Sequence, residues 1–571
     1  MISVDVVDTQ RKSKTIASPR VILAGGAALL LGLFVYYYFV CYRDYILSYD
    51  AVAFVGALSS PKEWFAEGWL HYFEVYPGWS SQDQWDLVRP LANVIGYANH
   101  ALFGERYALY FAVFYLAQLG GLALFLRLLR EASIPALPAA GMALLYVVNP
   151  AFVNDGLTLL PFHFDVIAAQ LTLAAFLALW LGRNGLSLVF LTSALFTKES
   201  AAFAPIAAAI SILIWGRDRR LSLLMLLPIV MWAGLRFFAF GNVFGTRLSS
   251  PLESSAVGLL VWPTGMVPAD VALDIENSVP LARHDFLWMG PIAANFGFWL
   301  LLLYAAYVTA RGQLVPSMRA DQSAQLSASF LVWTLGALAF GVLVGPHSRY
   351  GASYYPFLYL FLANWFFAPG GRIPRWVVAA VLLVLSTATA FQIQRVLRAG
   401  AAWESYVAPE RALHDALRAL PQDGQTVYIV NAPRTHISSP RYLNSAWSTN
   451  LHVVIVNNAV SWSCSGPSDQ GVTEFDPSAN ALLNVRIPAC ASFAFAGVAS
   501  DLIAGGIRGP VARDGVGLYR FPEGSMRTGT MGTGTRLDLG HRMRFQIDPA
   551  QHPIVLAYNW ATGDYTRVVE H

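Results

Sequence analysis

Apolar stretches long enough to cross a lipid bilayer recur along this chain, and no other feature limits its fold so strongly. A helix needs about 20 apolar residues to span the hydrocarbon core. About eleven such stretches can be read, near 20–41, 107–126, 136–153, 164–182, 185–197, 200–216, 221–240, 291–310, 327–345, 353–369 and 375–393. The two between Leu186 and Trp215 are short, so a tilted or re-entrant course stays open for them. Only 13% of the 571 residues are charged, against about 25% in soluble domains, and 56% are hydrophobic with mean hydropathy +0.47. The expected fold is an α-helical polytopic membrane protein. A net charge of +3 without a basic stripe excludes a nucleic-acid partner, and three cysteines exclude a disulfide scaffold.

Orientation follows from the basic residues. Arg11, Lys12, Lys14 and Arg20 precede the first span, which is too long for a signal-peptide core and ends in Tyr36, Tyr37 and Tyr38 rather than a small-residue cleavage site. Counting spans in order, Arg127 with Arg130, Arg183, Arg217 with Arg219 and Arg220, Arg311 with Arg319, and Arg372 with Arg375 fall on that same side. The positive-inside rule makes it cytoplasmic. The expected organisation is a cytoplasmic tail at 1–19, a transmembrane domain at 20–393 with its first outer loop at 42–105, and an extracytoplasmic domain at 394–571.

The 394–571 segment is polar and rich in turn residues, with strand-like runs at Thr426–Asn431 and His452–Asn457. It reads as an α/β or mostly β domain. Cys464 and Cys490 lie here and would be able to pair in an oxidising compartment, the alternative being two unpaired buried thiols. The chain has no Asn-x-Ser/Thr site, which fits a bacterial periplasm slightly better than an ER lumen.

The outward ends of the spans carry charge that the topology does not explain. Asp50 follows the first span among Tyr45, Ile46, Leu47 and Tyr49; Arg89 lies later in the same loop; His163 and Asp165 open the fourth span. Lys198 and Glu199 separate the two short spans, and His347, Arg349 and Tyr350 sit between two later ones. An unpaired cation near membrane depth costs roughly 2–3 kcal/mol or more, so Lys198 and Arg349 call for anionic compensation. Glu199 and Asp165 would supply it internally; a lipid-linked phosphate would supply it as substrate. Both readings stay open on the residues alone. Asp50 is either a solvated loop carboxylate or, in its partly apolar setting, a general base with a raised pKa. The His163-x-Asp165 pair offers two metal ligands, too few to make a site, and a divalent metal stays an open expectation. Trp64, Phe65, Gly68, Trp69 and Tyr72 recur at helical spacing, as in a helix lying in the outer leaflet or packed on the spans. The Gly-Lys-Ser/Thr phosphate loop, His-Glu-x-x-His and Gly-x-Ser-x-Gly are all absent, which argues against an ATP-driven pump.

Taken in order, several of these pieces resemble the GT-C superfamily of polytopic glycosyltransferases, in particular its bacterial protein-mannosyltransferase-like branch. The resemblance covers roughly the first 370 residues. It rests on Asp50 after the first span, Arg89-Pro90-Leu91 followed by Leu102-Phe103-Gly104, and Asn149-Pro150 through Asp155. Asp165, Lys198-Glu199 with Pro205, and Arg349-Tyr350 with Pro356 complete it. It implies transfer of a sugar from a polyprenyl-phosphate donor to a glycan, lipid or protein acceptor at the outer face of a bacterial cytoplasmic membrane. Asp50 would be the base of an inverting reaction, and Lys198 and Arg349 would hold the donor phosphate. Arg89, His163, Asp165, Glu199, His347 and Tyr350 would orient substrate or brace the site, Glu199 by fixing Lys198. Many relatives carry two adjacent acidic residues where this chain has Tyr49-Asp50, which leaves the metal requirement open. The competing expectation is a flippase or exporter of lipid-linked saccharide, which needs an outward cationic cavity but no base.

Overall fold

In the computed structural model the described residues are chiefly 19–46, 89–149, 163–240, 322–344, 352–367 and 407–430, with shorter strand segments between 432 and 567. Asp50, Asp155, His347, Arg349, Tyr350, Cys464 and Cys490 lie outside them, as does the aromatic stripe at 64–72.

Helix α1 (Pro19–Tyr37) runs into one π-helical turn, Tyr38–Tyr42. Then come α2 (Pro90–Phe103), α3 (Tyr107–Glu131), α4 (Ala136–Val147), α5 (His163–Trp180), α6 (Asn184–Thr197) and α7 (Phe203–Ile214). The helical series closes with α8 (Arg219–Leu224), α9 (Leu227–Phe240), α10 (Gln322–Val344), α11 (Tyr355–Phe367) and a helix over residues 407–418, α12. Among the described residues, five helical stretches are long and apolar enough to cross a membrane: Pro19–Tyr42, Tyr107–Glu131, His163–Trp180, Arg219–Phe238 and Gln322–Phe340. Ala136–Val147, Asn184–Thr197, Glu199–Ile214 and Tyr355–Phe367 are apolar but shorter.

Helix α5 is the central post. Its buried residues lie on every side, from His163 and Asp165 at one end to Leu179 and Trp180 at the other. A helix apolar all round belongs inside a bundle or a bilayer. It packs on α3 and α6, while α2 packs on α6 and α7 on α10. The α3–α5 approach is close: a Cβ on Gly121 would collide with the Tyr146 hydroxyl and the Gln170 side chain. At the far end of α5, Arg217 donates to Leu179 O (2.8 Å) and Trp180 O (3.2 Å), satisfying carbonyls that the helix end leaves open.

Beyond the helices, β1 (Thr426–Val430) lies between β3 (His452–Ile455) and β9 (Ile554–Asn559), parallel to both. Strand β10 (Asp564–Arg567) adds an antiparallel edge beside β9. All five β1 residues are buried, as expected where a parallel strand is covered. Leu413 and Leu417 of α12 and Val427 and Ile429 of β1 belong to one buried apolar cluster. Gly424, at φ 84°, turns the chain from α12 into β1 and donates to Asn450 O (2.9 Å), a conformation that favours glycine. The remaining described strands form two small three-stranded sheets, one of β2 (Ala432–Pro433), β4 (Asn458–Trp462) and β7 (Ala491–Ala494), the other of β5 (Thr473–Asp476), β6 (Leu482–Arg486) and β8 (Arg542–Gln546).

The π-helical end of α1 ties these parts together. Tyr42 stacks on Phe111 of α3 with ring centroids 4.0 Å apart. Tyr45 stacks on Trp403, ahead of α12, at 5.5 Å, and Tyr36 donates to Leu397 O at 3.2 Å.

Candidate functional site

Four charged side chains from three places in the chain meet where α2, α5 and the break between α6 and α7 come together. Arg89 caps the start of α2, ahead of Pro90 in the first helical position. Proline there sacrifices no hydrogen bond and keeps the preceding residue out of the helical region, which leaves Arg89 directed away from the helix. Asp165 lies in the first turn of α5, where a carboxylate interacts favourably with the helix dipole.

Lys198 and Glu199 occupy the break. Helix α6 stops at Thr197, Lys198 is fully extended (φ −157°, ψ 133°), and Glu199–Ala201 form a single 3-10 turn before α7. The two adjacent side chains therefore serve different partners. Glu199 accepts a two-point hydrogen bond from Arg89, through Nε at 2.6 Å and through Nη2. Lys198 places Nζ 3.2 Å from Asp165 Oδ2. Arg89, Asp165 and Lys198 are buried, at 6%, 1% and 3% exposure, which makes each ion pair necessary: a lone buried charge is far costlier than a paired one.

Glu199 accepts its hydrogen bonds from Arg89 and also lies within electrostatic reach of Lys198, whose ammonium has the Asp165 carboxylate of α5 at 3.2 Å. The internal compensation foreseen as one of two readings is thus present, since two cations meet two anions. The pairs are not equivalent. The guanidinium of Arg89 is held by two hydrogen bonds in a planar fork, whereas the Lys198 ammonium faces Asp165 as a point charge at 3.2 Å.

His163 stands one turn-edge before Asp165 in an aromatic slot. Phe114 stacks on its ring at 4.4 Å and Phe111 meets it edge-on at 5.1 Å. Among the described residues no group of three or more His, Cys, Asp or Glu side chains is placed to hold a metal ion, so the open expectation of a divalent metal gains no ligand set there. Asn149 donates to the Tyr359 hydroxyl at 2.7 Å and so fastens the end of α4 to α11.

Sequence reading overlooked a second concave region, a cavity of about 370 Å³ between the end of α1, the α2–α3 connection and α12. Its residues from α12 are Arg411, His414, Asp415 and Arg418. Their spacing of three, four and seven residues puts them on one helix face, and that polar stripe was the available signal.

No family model matches the chain, and neither does any curated protein. A cryo-EM structure of the arabinofuranosyltransferase AftD from mycobacteria is similar to 76% of this chain, at 14% identity and a TM-score of 0.41. The chain spans about a third of that protein, 32% of its length. So distant a likeness decides neither family nor activity. Any functional reading has to rest on the chain's own residues.

Proposed function

We propose that this chain is a membrane glycosyltransferase using a polyprenyl-phosphate-linked sugar as donor and a hydroxyl of a glycan, lipid or protein as acceptor. Its place is the cytoplasmic membrane of a bacterium, with the site and residues 394–571 on the periplasmic side. The observation that carries the reading is the buried Arg89–Glu199 and Lys198–Asp165 network, which gathers two cations and two carboxylates at the helix ends.

In the proposed reaction the Asp50 carboxylate takes the proton of the acceptor hydroxyl. That oxygen attacks the anomeric carbon from the face opposite the phosphate. The bond between the anomeric carbon and the phosphate oxygen breaks, its electron pair leaves with the polyprenyl phosphate, and configuration inverts. The second negative charge that gathers on the phosphate needs fixed cations, an electrostatic contribution that is often the largest in such reactions. Lys198 can turn from Asp165 to phosphate because its ammonium carries three donors on a flexible stem. Arg349 would add a planar fork. Arg89, bound at two points by Glu199, braces the α2–α6 contact, and His163, His347 and Tyr350 line the sugar's side.

The test follows polyprenyl phosphate released from a panel of lipid-linked sugars in proteoliposomes, with a cell-envelope extract as acceptor. Turnover by wild type that is lost in Asp50→Asn with donor binding retained supports transfer. Donor movement across the bilayer without a new glycosidic bond, unchanged by Asp50→Asn, overturns it in favour of a transporter. Repeating the assay after chelation decides whether a divalent metal is needed.

A further inference from the structure

We propose that the cavity between the end of α1, the α2–α3 connection and α12 is a binding groove for a neutral saccharide chain. The volume of about 370 Å³ falls in the range of small-molecule sites, roughly 300–1,000 Å³. The identity of its occupant follows from its walls.

One wall is the polar face of α12. Arg411 and Arg418 stand two turns apart on it, with His414 and Asp415 between them. Each arginine is positioned by a backbone carbonyl: Arg411 Nη2 donates to Asp44 O (3.4 Å) and Arg418 Nη2 to Trp447 O (3.1 Å). A guanidinium has five N–H donors, so a bond of this kind fixes the group without exhausting it. His414 is oriented by Asp415 at 3.0 Å and by the Trp447 ring, edge to face at 5.5 Å.

The opposite wall brings two more carboxylates, Asp44 and Glu105, and the ring of Tyr107. Three carboxylates thus alternate with two guanidiniums and an imidazole. A phosphate entering here would meet Asp44, Glu105 and Asp415; an organic cation would meet Arg411 and Arg418. Either suffers like-charge repulsion in a partly enclosed space. A neutral polyol does not. Its vicinal hydroxyls donate to carboxylates and accept from guanidiniums at the same time, and charge-assisted bonds of this kind are the stronger ones. The apolar C–H face of a sugar ring suits Tyr107, Tyr45 and Ile46, which complete the lining.

The groove opens four residues before Asp50 in the chain, as Ile46 is among its lining residues. On the transferase reading, its occupant is the acceptor, a glycan chain held by sugar units away from the reacting hydroxyl. That assignment of role rests on the proposed function; saccharide binding itself does not.

The experiment is calorimetric titration of the full chain in nanodiscs with linear neutral hexasaccharides of mannose, arabinose, galactose and glucose, each beside a phosphorylated counterpart. Saturable binding of a neutral oligosaccharide is expected. Replacing Glu105 and Asp415, both exposed, by Gln and Asn should weaken it about tenfold or more, the loss for one to two charged hydrogen bonds. Arg127→Ala, on α3 away from the groove, should leave it unchanged. No saturable binding, binding only of phosphorylated chains, or equal binding by the double variant would overturn the proposal. If neutral chains bind as expected while the Asp50 assay detects no transfer, the groove stands and the transferase reading fails.

Discussion

Asp165, in the first turn of α5, holds Lys198 from the α6–α7 break at 3.2 Å, with both side chains almost wholly buried. The contact joins the central helix of the bundle to the break between α6 and α7.

Removing one member of this pair should hurt more than removing both. Asp165→Asn takes a carboxylate partner from a buried ammonium, at a cost of up to about 3–5 kcal/mol, and should lower the thermal midpoint in detergent. Asp165→Leu with Lys198→Met removes both charges and should recover most of that stability. Donor-dependent turnover should nevertheless stay lost in the double variant, which separates folding from phosphate binding. Recovery of turnover along with stability would remove Lys198 from the proposed reaction.

The two-point bond between Arg89 and Glu199 predicts a different pattern. Arg89→Lys preserves charge but not the fork that engages both carboxylate oxygens. It should cost about 1–3 kcal/mol, the scale of a charged hydrogen bond, and Glu199→Gln should cost more because the buried Arg89 loses its counter-charge. Equal midpoints for wild type and both variants would show that the α2–α6 junction does not depend on this pair.

Gly121 tests the packing of α3 on the central helix. A methyl group there would strike the Tyr146 hydroxyl and the Gln170 side chain, both of them buried. Gly121→Val should destabilise by about 1–3 kcal/mol, the usual cost of overpacking. By contrast, Gly120→Ala, where an added Cβ meets nothing within 4 Å on an exposed face of the same helix, should not lower the midpoint and should raise it slightly.

Some of this arrangement can be read from residues next to one another. Lys198-Glu199 between two short apolar runs marks the break, and β1 and β3 fall inside the runs Thr426–Asn431 and His452–Asn457. Pairing across the chain cannot be read that way. Arg89 and Glu199 are 110 positions apart, and only the packing of α2 against α6 brings them together. Adjacency suggests that Glu199 serves Lys198. An electrostatic attraction between the two is present, but the Arg89 and Asp165 side chains that they also meet come from other helices. The polar stripe of α12 was visible as a period, but its facing wall comes from Asp44 and Glu105, more than 300 residues earlier.

Arg217 offers a test at the opposite end of α5. Its guanidinium donates to Leu179 O and Trp180 O, and it lies 4.7 Å from the centre of the Trp215 ring. The side chain therefore closes the helix end and clasps α7's last turn in one geometry. An ammonium is a compact point charge and cannot reproduce two divergent bonds from one plane. Arg217→Lys should retain the positive charge, so on the proposed orientation the topology reported by cysteine labelling of the flanking loops should be unchanged. Its midpoint should still fall by an amount equivalent to about 1–2 kcal/mol, for one lost charged hydrogen bond and a weakened ring contact. Arg217→Ala should fall further, because both carbonyls then lose their donor. A lysine variant as stable as wild type would mean that charge alone, rather than the two-carbonyl clasp, holds this end of the helix.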